Sequence, residues 1–397
     1  MIVVEFKLKG KLQQYRLIDD MIRTAQFIRN KALRYWIDNQ GVKLSDLYKQ
    51  CAVLAKEFEW AGNLNSMARQ ASAERAIFAI QRFFAKCKAK KPGKKGYPQF
   101  KKFSRSVEYK TTGWKIASDK KHLTFTDGFA AGTFKLVGSR DLHFYAPEEI
   151  KRVRVIRRAD GYYTQFCIGV ERVEEVTPTG KAVGLDVGLN HFYTDSTGLT
   201  VPNPRHLKQS EKALKRAQQR LSSKKKGSNN RRKAINKLGR KHLKVSRQRK
   251  DFAIKTALCV VKSSDFIAYE DLQVGNMVKN HKLAKSISDV AWSQFAQWLQ
   301  YLGKVYGKTV VAVSPQYTSQ DCSTCGSTVK KSLSVRTHVC GCGTVLDRDR
   351  NAALNILAKA LRQAGIDLNT AGHAEINAWG QTDLYSLVVT SKSKPTG

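Results

Sequence analysis

Two sets of residues in this chain could do chemistry. The first is a set of carboxylates in unusual places. Asp186 stands inside the run KAVGLDVGL (181–189), surrounded by Val183, Leu185 and Val187. Glu270 closes an apolar run, and Asp349 opens the amphipathic stretch DRNAALNI (349–356), with Asp347 two residues ahead of it. A carboxylate among β-branched residues is costly unless something pairs with it. Three such groups meeting at one point could not all ionise without cations. Oxygen donors suit Mg²⁺, and two such ions would activate a water and stabilise the leaving 3′ oxygen of a phosphodiester. Each acid also has an ordinary use: Glu270 at a strand end facing solvent, Asp349 or Asp347 as a helix N-cap.

The second set is Cys322-x-x-Cys325 followed by Cys340-x-Cys342, with Gly326 and Gly343 after each pair. Two close cysteine pairs about fifteen residues apart predict a zinc ribbon holding one structural Zn²⁺. A lone redox pair leaves the second pair unexplained, and His338 is near enough in sequence to stand in as a ligand. The other four cysteines, Cys51, Cys87, Cys167 and Cys259, are scattered. That uneven usage points to a reducing compartment, with these four reduced and mostly in the core.

The elements that must position these residues follow from periodicity. Residues 181–195 read as two strands around Gly188, 264–270 as a strand ending in Glu270, and 309–313 as a buried strand stopped by Pro315. Ser288 reads as the cap of a helix carrying Trp292, Phe295 and Leu299. This alternation predicts an α/β domain. Upstream, Val4, Phe6 and Leu8 alternate as a strand. Helices are expected over about 18–36, 44–58 and 65–84, the last capped by Asn65 or Ser66. Strands are expected over 123–126, 131–137, 142–145, 153–157 and 163–170, with Asp160-Gly161 as a two-residue hairpin turn. The N-terminal strand and residues 104–175 together predict a small β-barrel with the helices inserted. Residues 171–180, with Pro178, read as a linker.

Charge says what these elements meet. The chain has 71 Lys and Arg against 32 Asp and Glu, a net charge of +39. Self-repulsion of that size works against compaction, so a polyanion partner, nucleic acid, is expected. Between Arg205 and Lys250 the only acid is Glu211. Two basic helices over 208–221 and 231–261, broken at Lys224-Lys225-Lys226-Gly227-Ser228, predict a nucleic-acid channel in which Lys224, Lys225, Lys226, Arg231 and Arg232 contact phosphates. Lys101 and Lys102, with Tyr97, Phe100 and Phe103 interleaved, suit phosphate and stacking contacts. Arg69 and Gln70 are expected on an open helix face. No run approaches the roughly 20 apolar residues of a membrane span, and no secretory leader is read; a cytoplasmic, nucleoid-associated protein of a prokaryote is expected.

Four motifs carry a resemblance: GLDVGL (184–189), YEDL (269–272), QYTSQDCSTCG (316–326) and DRDRNAALNIL (347–357), with GYPQFK (96–101) in support. Over nearly its whole length the chain resembles the TnpB family, transposon-encoded RNA-guided DNA endonucleases related to the Cas12 effectors. The resemblance implies an α+β multidomain protein. Its parts would be a wedge β-barrel (1–12 and 96–177) with an inserted helical recognition lobe (13–95), a RuvC nuclease domain of RNase H fold (178–315 and 347–365), an inserted zinc ribbon contacting target nucleic acid (316–346), and a partly disordered tail (366–397). It carries catalytic and Mg²⁺-binding roles onto Asp186, Glu270 and Asp349, preferring Asp349 to Asp347, and zinc binding onto Cys322, Cys325, Cys340 and Cys342. Many relatives have C-x-x-C as the second pair where this chain has Cys340-Gly341-Cys342. The implied partners are a guide RNA from the transposon end, double-stranded target DNA with a short adjacent motif read near Arg69 and Gln70, and a functional link to a transposase. A non-cleaving guided repressor or a compact Cas12-type effector would share these motifs.

Overall fold

The computed structural model describes residues 1–89, 93, 95–332 and 334–366. From residue 367 on, the expected tail lies outside the described residues, as do Lys90, Lys91, Pro92 and Lys94 of the lysine-rich stretch. The chain divides into two units, one ending at Arg172 and one beginning at Val173. No helix among the described residues is long and apolar enough to cross a membrane.

In the first unit the alternating N-terminal segment forms β1 (Ile2–Lys9). Four helices follow: α1 (Leu12–Asp38), α2 (Leu44–Glu57), the single turn α3 (Glu59–Gly62) and α4 (Ser66–Lys88). Asn65 caps α4 as its sequence suggests, its side chain accepting from the Met67 N–H at 2.9 Å. Ile28, Leu33, Leu47, Leu54, Ile77 and Ile80 make the core of these helices.

The remaining strands are β2 (Ser106–Tyr109), β3 (Trp114–Ile116), β4 (His122–Phe125), β5 (Gly132–Val137), β6 (Ile150–Arg158) and β7 (Gly161–Ile168). They build a seven-stranded antiparallel sheet in the order β2-β6-β7-β1-β5-β4-β3. Val4, Phe6 and Leu8 point from β1 into a core shared with Ile18, Met21 and Ile22 of α1. The expected closed barrel is not found. Among the described residues no ladder joins β2 to β3, and end strands of four and three residues offer too few backbone groups to close one. Residues 142–145 are not a strand either. The Asp141 carboxylate accepts from the His143 N–H at 2.8 Å, a local turn that competes with sheet pairing. The β6–β7 hairpin turns one residue early, on Ala159-Asp160, because Gly161 at φ 133° already pairs with Arg158.

The second unit holds the candidate chemistry. Its strands β8 (Ala182–Val187), β9 (His191–Asp195) and β10 (Thr200–Pro202) form an antiparallel meander. Two long basic helices, α5 (His206–Ser222) and α6 (Asn229–Ser263), lead to β11 (Phe266–Glu270). The short α7 (Val274–Met277) and α8 (Ala284–Val290), then α9 (Trp292–Val305), lead to β12 (Thr309–Val313). Ser288 lies inside α8 and does not cap α9; Ala291, at φ 61°, separates the two helices. A small hairpin, β13 (Thr337–Val339) and β14 (Val345–Asp347), runs directly into α10 (Arg348–Gln363).

The main sheet has the order β10-β9-β8-β11-β12, with β11 parallel to both β8 and β12. Side chains alternate between its faces. Val183, Leu185, Ile267 and Tyr269 pack with Ala257 and Val261 of α6 and with Phe295 and Leu299 of α9. Phe266 and Ala268 pack with Ile356, Leu357 and Ala360 of α10. Helices thus cover both faces, as a sheet with parallel strands requires.

Candidate functional site

Strand alternation decides where the carboxylates go. Ala268 faces α10, so Glu270, two residues on, faces the same way at the end of β11. Gly184 also faces α10, where a Cβ would run into the Ala353 carbonyl and Leu357; Asp186 follows two residues later. β8 and β11 run parallel and in register up to Leu185↔Tyr269, so the two acids leave neighbouring strands one residue further along. Asp349 sits in the first turn of α10. All three line one cavity of about 290 Å³ with Thr318, Arg336 and Arg348.

The electrostatics are those of crowded anions. Burial first, then repulsion from Glu270 and Asp349, pushes the Asp186 carboxyl well above the usual carboxylate range, against the pull of Arg348. Burial also raises Glu270, although the Thr318 hydroxyl donates to its Oε1 at 2.5 Å and Lys359 lies near. Asp349 Oδ1 is paired with Arg336 Nη1 at 3.3 Å. Among the described residues the cysteines alone bring their ligand atoms within 4.8 Å of one another, so the three carboxylates gather more loosely than a single-metal cluster. Half-buried oxygens, crowding one another and only partly neutralised by arginine, are a donor set that fits a hard divalent cation.

Asp347 and Asp349 have different jobs. Asp347 is the N-cap of α10, its Oδ1 accepting from the Asp349 and Arg350 N–H groups at 2.9 and 3.1 Å. That leaves the Asp349 carboxylate free to face the cavity. Sequence reasoning missed Thr318, Arg336 and Arg348. Thr318 lies in the QYTSQDCSTCG motif and Arg348 in DRDRNAALNIL, whereas Arg336 carries no local signal in so basic a chain.

Cys322, Cys325, Cys340 and Cys342 gather as the spacing predicts. Sγ–Sγ separations are 3.7 Å for Cys322–Cys342 and 3.5 Å for Cys325–Cys340, close to the edge of about 3.8 Å of a tetrahedron with Zn–S bonds of 2.3 Å. The C-x-C pair therefore brings both of its thiols to the site. Burial opposes ionisation of Cys322, but the Cys325 and Thr324 N–H groups, then His338 and Thr344, pull its thiol down to about 5. The Cys342 N–H favours ionisation of Cys340, yet the thiols of Cys325, Cys342 and Cys322 outweigh it and push Cys340 up to about 12. Such thiols need a cation to ionise together. His338 is buried outside the four-sulfur cluster. Of the scattered cysteines, Cys51 and Cys167 are buried, Cys87 is half-buried and Cys259 is exposed.

The cysteine knuckle is fastened to α10. Asn351, fully buried, accepts from the Ser323 N–H at 3.0 Å and donates to the Asp321 carbonyl at 2.8 Å. Asn355 donates to the carbonyls of Asp321 at 2.7 Å and Thr318 at 2.9 Å. The helix that carries Asp349 thus also anchors the four-cysteine centre.

The expected nucleic-acid contacts divide. Lys101 and Lys102 have exposed side chains while their carbonyls accept from Asn30 and Gln26 of α1. Lys224, Lys225 and Lys226 are exposed at the α5–α6 turn, as is Arg232 beside Asn229. Arg231 instead turns inward, donating to the carbonyls of Leu221 and Lys224. Arg69 is not on an open face. Its Nη1 donates to the carbonyls of Leu64, Gly62 and Ala61 at 2.8, 2.9 and 3.3 Å, at the end of α3 and in the turn that follows it. Gln70 is half-buried, and its Oε1 accepts from Lys110.

A mixed α+β chain with a four-cysteine knuckle seated on the helix that borders an acidic cavity is the class this architecture defines. Comparison with known proteins places it further. Residues 165–281 match the OrfB_IS605 family, described as a probable transposase, and residues 292–356 match the Cas12f1-like TNB domain. A Streptomyces pristinaespiralis protein provisionally named an RNA-guided DNA endonuclease is 33% identical over 346 residues, covering 85% of this chain and 83% of the relative. InsQ of Escherichia coli K12, with the same provisional name, is 28% identical, covering 89% and 91%. A chain from the cryo-electron-microscopy structure of the Cas12f1–sgRNA–target DNA complex superposes with TM-score 0.54 at 15% identity, covering 87% of this chain and 83% of that one. The fold is therefore of the Cas12f1 kind, and the chain belongs to the TnpB family, as the motifs implied.

Proposed function

We propose that this protein is an RNA-guided DNA endonuclease that hydrolyses phosphodiesters in double-stranded DNA beside a short adjacent motif. The observation that carries the reading is the shared cavity of Asp186, Glu270 and Asp349, three acids separated in sequence but converging from two strands and a helix. The second unit is then the RuvC nuclease with its zinc ribbon. The seven-stranded sheet is the wedge and α1 to α4 the recognition lobe. A guide RNA from the transposon end lies along the basic α5–α6 hairpin, where Lys233, Lys237, Arg240, Lys241 and Lys244 line a further cavity. Base pairing with that guide selects the target, while the protein reads duplex shape and the adjacent motif.

Asp186, Glu270 and Asp349 would hold two Mg²⁺ ions, and Cys322, Cys325, Cys340 and Cys342 one Zn²⁺. Magnesium bound there would supply a nucleophile at neutral pH and neutralise charge on the leaving oxygen. Thr318 fixes one oxygen of Glu270, so the carboxylate meets its ligand in one orientation. Arg336 and Arg348 lower the cost of gathering the acids and stand where a scissile phosphate would need cations. Asp347, by capping α10, aims Asp349.

The test is the purified protein with its co-purified RNA, offered matched duplex and Mg²⁺. The parent should cut matched duplex only, while Asp186→Ala should bind it without cutting. Equal cutting by that variant would remove the catalytic assignment. Binding without cutting by the parent would favour a guided repressor. Sequencing the RNA separates a transposon-end guide from the repeat-derived guide of a Cas12-type effector.

A further inference from the structure

Beside the acidic cavity lies a second one of about 560 Å³ that shares Asp349 and Arg336 with it. It is large enough for a ligand of nucleotide size. We propose that this second cavity is a phosphate subsite for the strand flanking the bond to be cut, with Arg350 as its anion-binding group. The proposal rests on the nuclease reading for the identity of the strand, but not for the presence of the site.

Arg350 is built into the wall, and among the described residues its Nε has no partner. Its stem lies against Gly198 in the β9–β10 turn, where a Cβ would stand 3.2 Å from Arg350 Cδ and 3.4 Å from Nε; Gly198, at φ +97°, favours glycine on backbone grounds as well. Arg350 Nε is buried with no hydrogen-bond partner. No ion pair or side-chain hydrogen bond holds its guanidinium among the described residues, although acids are near. Asp347 accepts the N–H groups of Asp349 and Arg350 as the cap of α10, and Asp349 is paired with Arg336. A buried, unpaired Nε–H beside two committed carboxylates is costly unless an anion arrives from outside. Its planar fork suits a phosphodiester oxygen pair, and the exposed His191 and Thr200 complete a polar wall. A strand with its scissile phosphate among the acids would therefore lay a neighbouring phosphate on Arg350.

The experiment uses the full chain with its co-purified RNA in an Asp186→Ala background, with single-stranded oligonucleotides that do not match the guide. Arg350→Gln should weaken binding about tenfold. It should also lower the slope of log affinity against log salt by about 0.7, the share of one phosphate contact on a single strand. Arg350→Lys, which keeps the charge, should restore the slope, and matching melting temperatures would exclude misfolding as the cause. Equal losses on DNA and RNA mark a site that reads phosphate alone; loss on one of them tells which strand it serves. An unchanged slope in Arg350→Gln overturns the subsite whatever the protein cuts. A parent complex that cuts nothing, while the slope still falls, overturns the nuclease reading and leaves the subsite standing.

Discussion

The backbone of α10 crosses β8 at Gly184, where the Ala353 carbonyl occupies the space a side chain would need and Leu357 closes in at 2.9 Å. Ala353 is one helical turn beyond Asp349, and Gly184 is two residues short of Asp186. The close approach of these two backbones therefore sets how near the two carboxylates come. It also explains why a glycine interrupts this strand.

Replacing that glycine should separate stability from chemistry. Gly184→Ala must push α10 outward, at a cost of about 1–3 kcal/mol. A melting temperature several degrees lower is expected. Single-turnover cutting at a temperature where the variant is still folded should fall further, up to about a hundredfold, because Asp349 moves with its helix. A variant that melts and cuts like the parent would show that the helix approach does not govern the site.

The Asp186 carboxyl, raised mainly by burial, makes a prediction with a definite sign. A group whose folded pKa lies above its unfolded value of about 3.8 favours folding only while protonated. Metal-free stability should thus decline as pH rises from about 4 through the raised folded value, then level off. At neutral pH burying this carboxyl costs the fold stability, so Asp186→Asn should melt higher than the parent without metal. Mg²⁺ should raise the parent's melting temperature and the variant's much less, while the variant loses cutting. A variant that melts lower without metal, and gains as much from Mg²⁺, would contradict this.

Much of this site could be read from the chain because its signals are local. Asp186 inside an apolar strand, the two cysteine pairs and the helix start at 347–349 each stand out within a few residues. What stayed hidden depends on distant partners. Nothing near Arg336 says that it will meet Asp349, and nothing near Asn351 says that it will hold Ser323 and Asp321. Arg69 shows the converse. Its position on α4 suggested an open basic face, but the carbonyls of Ala61, Gly62 and Leu64 claimed it. The sheet of the first unit was legible as strands, yet β2 and β3 were too short to leave a pattern, and so the closure of the barrel was overestimated.

The Asn351 link predicts that zinc and chemistry are coupled. Asn351→Ala leaves the Ser323 N–H unpaired, at a cost of about 1–3 kcal/mol, and strips the Asp321 carbonyl of one of its two side-chain donors. The knuckle should then release zinc faster to a chelating dye, and cutting should fall together with zinc occupancy. Chelation of the parent should reproduce the loss of cutting, since the metal's binding energy is also folding energy for the ribbon. Zinc loss with undiminished cutting would show that the ribbon does not position Asp349.

Arg69→Ala tests the corrected role of that residue. The Gly62 and Leu64 carbonyls lose their side-chain donor and Ala61 keeps only backbone N–H, so a lower melting temperature is expected, with no change in the preferred motif beside the target. Altered motif preference at unchanged stability would return Arg69 to the nucleic-acid interface.

The α5–α6 turn offers the opposite contrast. Lys224, Lys225 and Lys226 are exposed, whereas Arg231 closes the turn on the carbonyls of Leu221 and Lys224. Replacing the three lysines by alanine should leave the melting temperature within about 1 °C, because exposed charges contribute little to folding. It should lower the salt slope of RNA binding by about two, as three single-strand phosphate contacts are lost. Arg231→Ala should do the reverse, lowering stability while changing the slope little. Calorimetry and a salt titration on the same three proteins, parent included, would distinguish them. A slope unmoved by the triple replacement would place the RNA elsewhere on this unit.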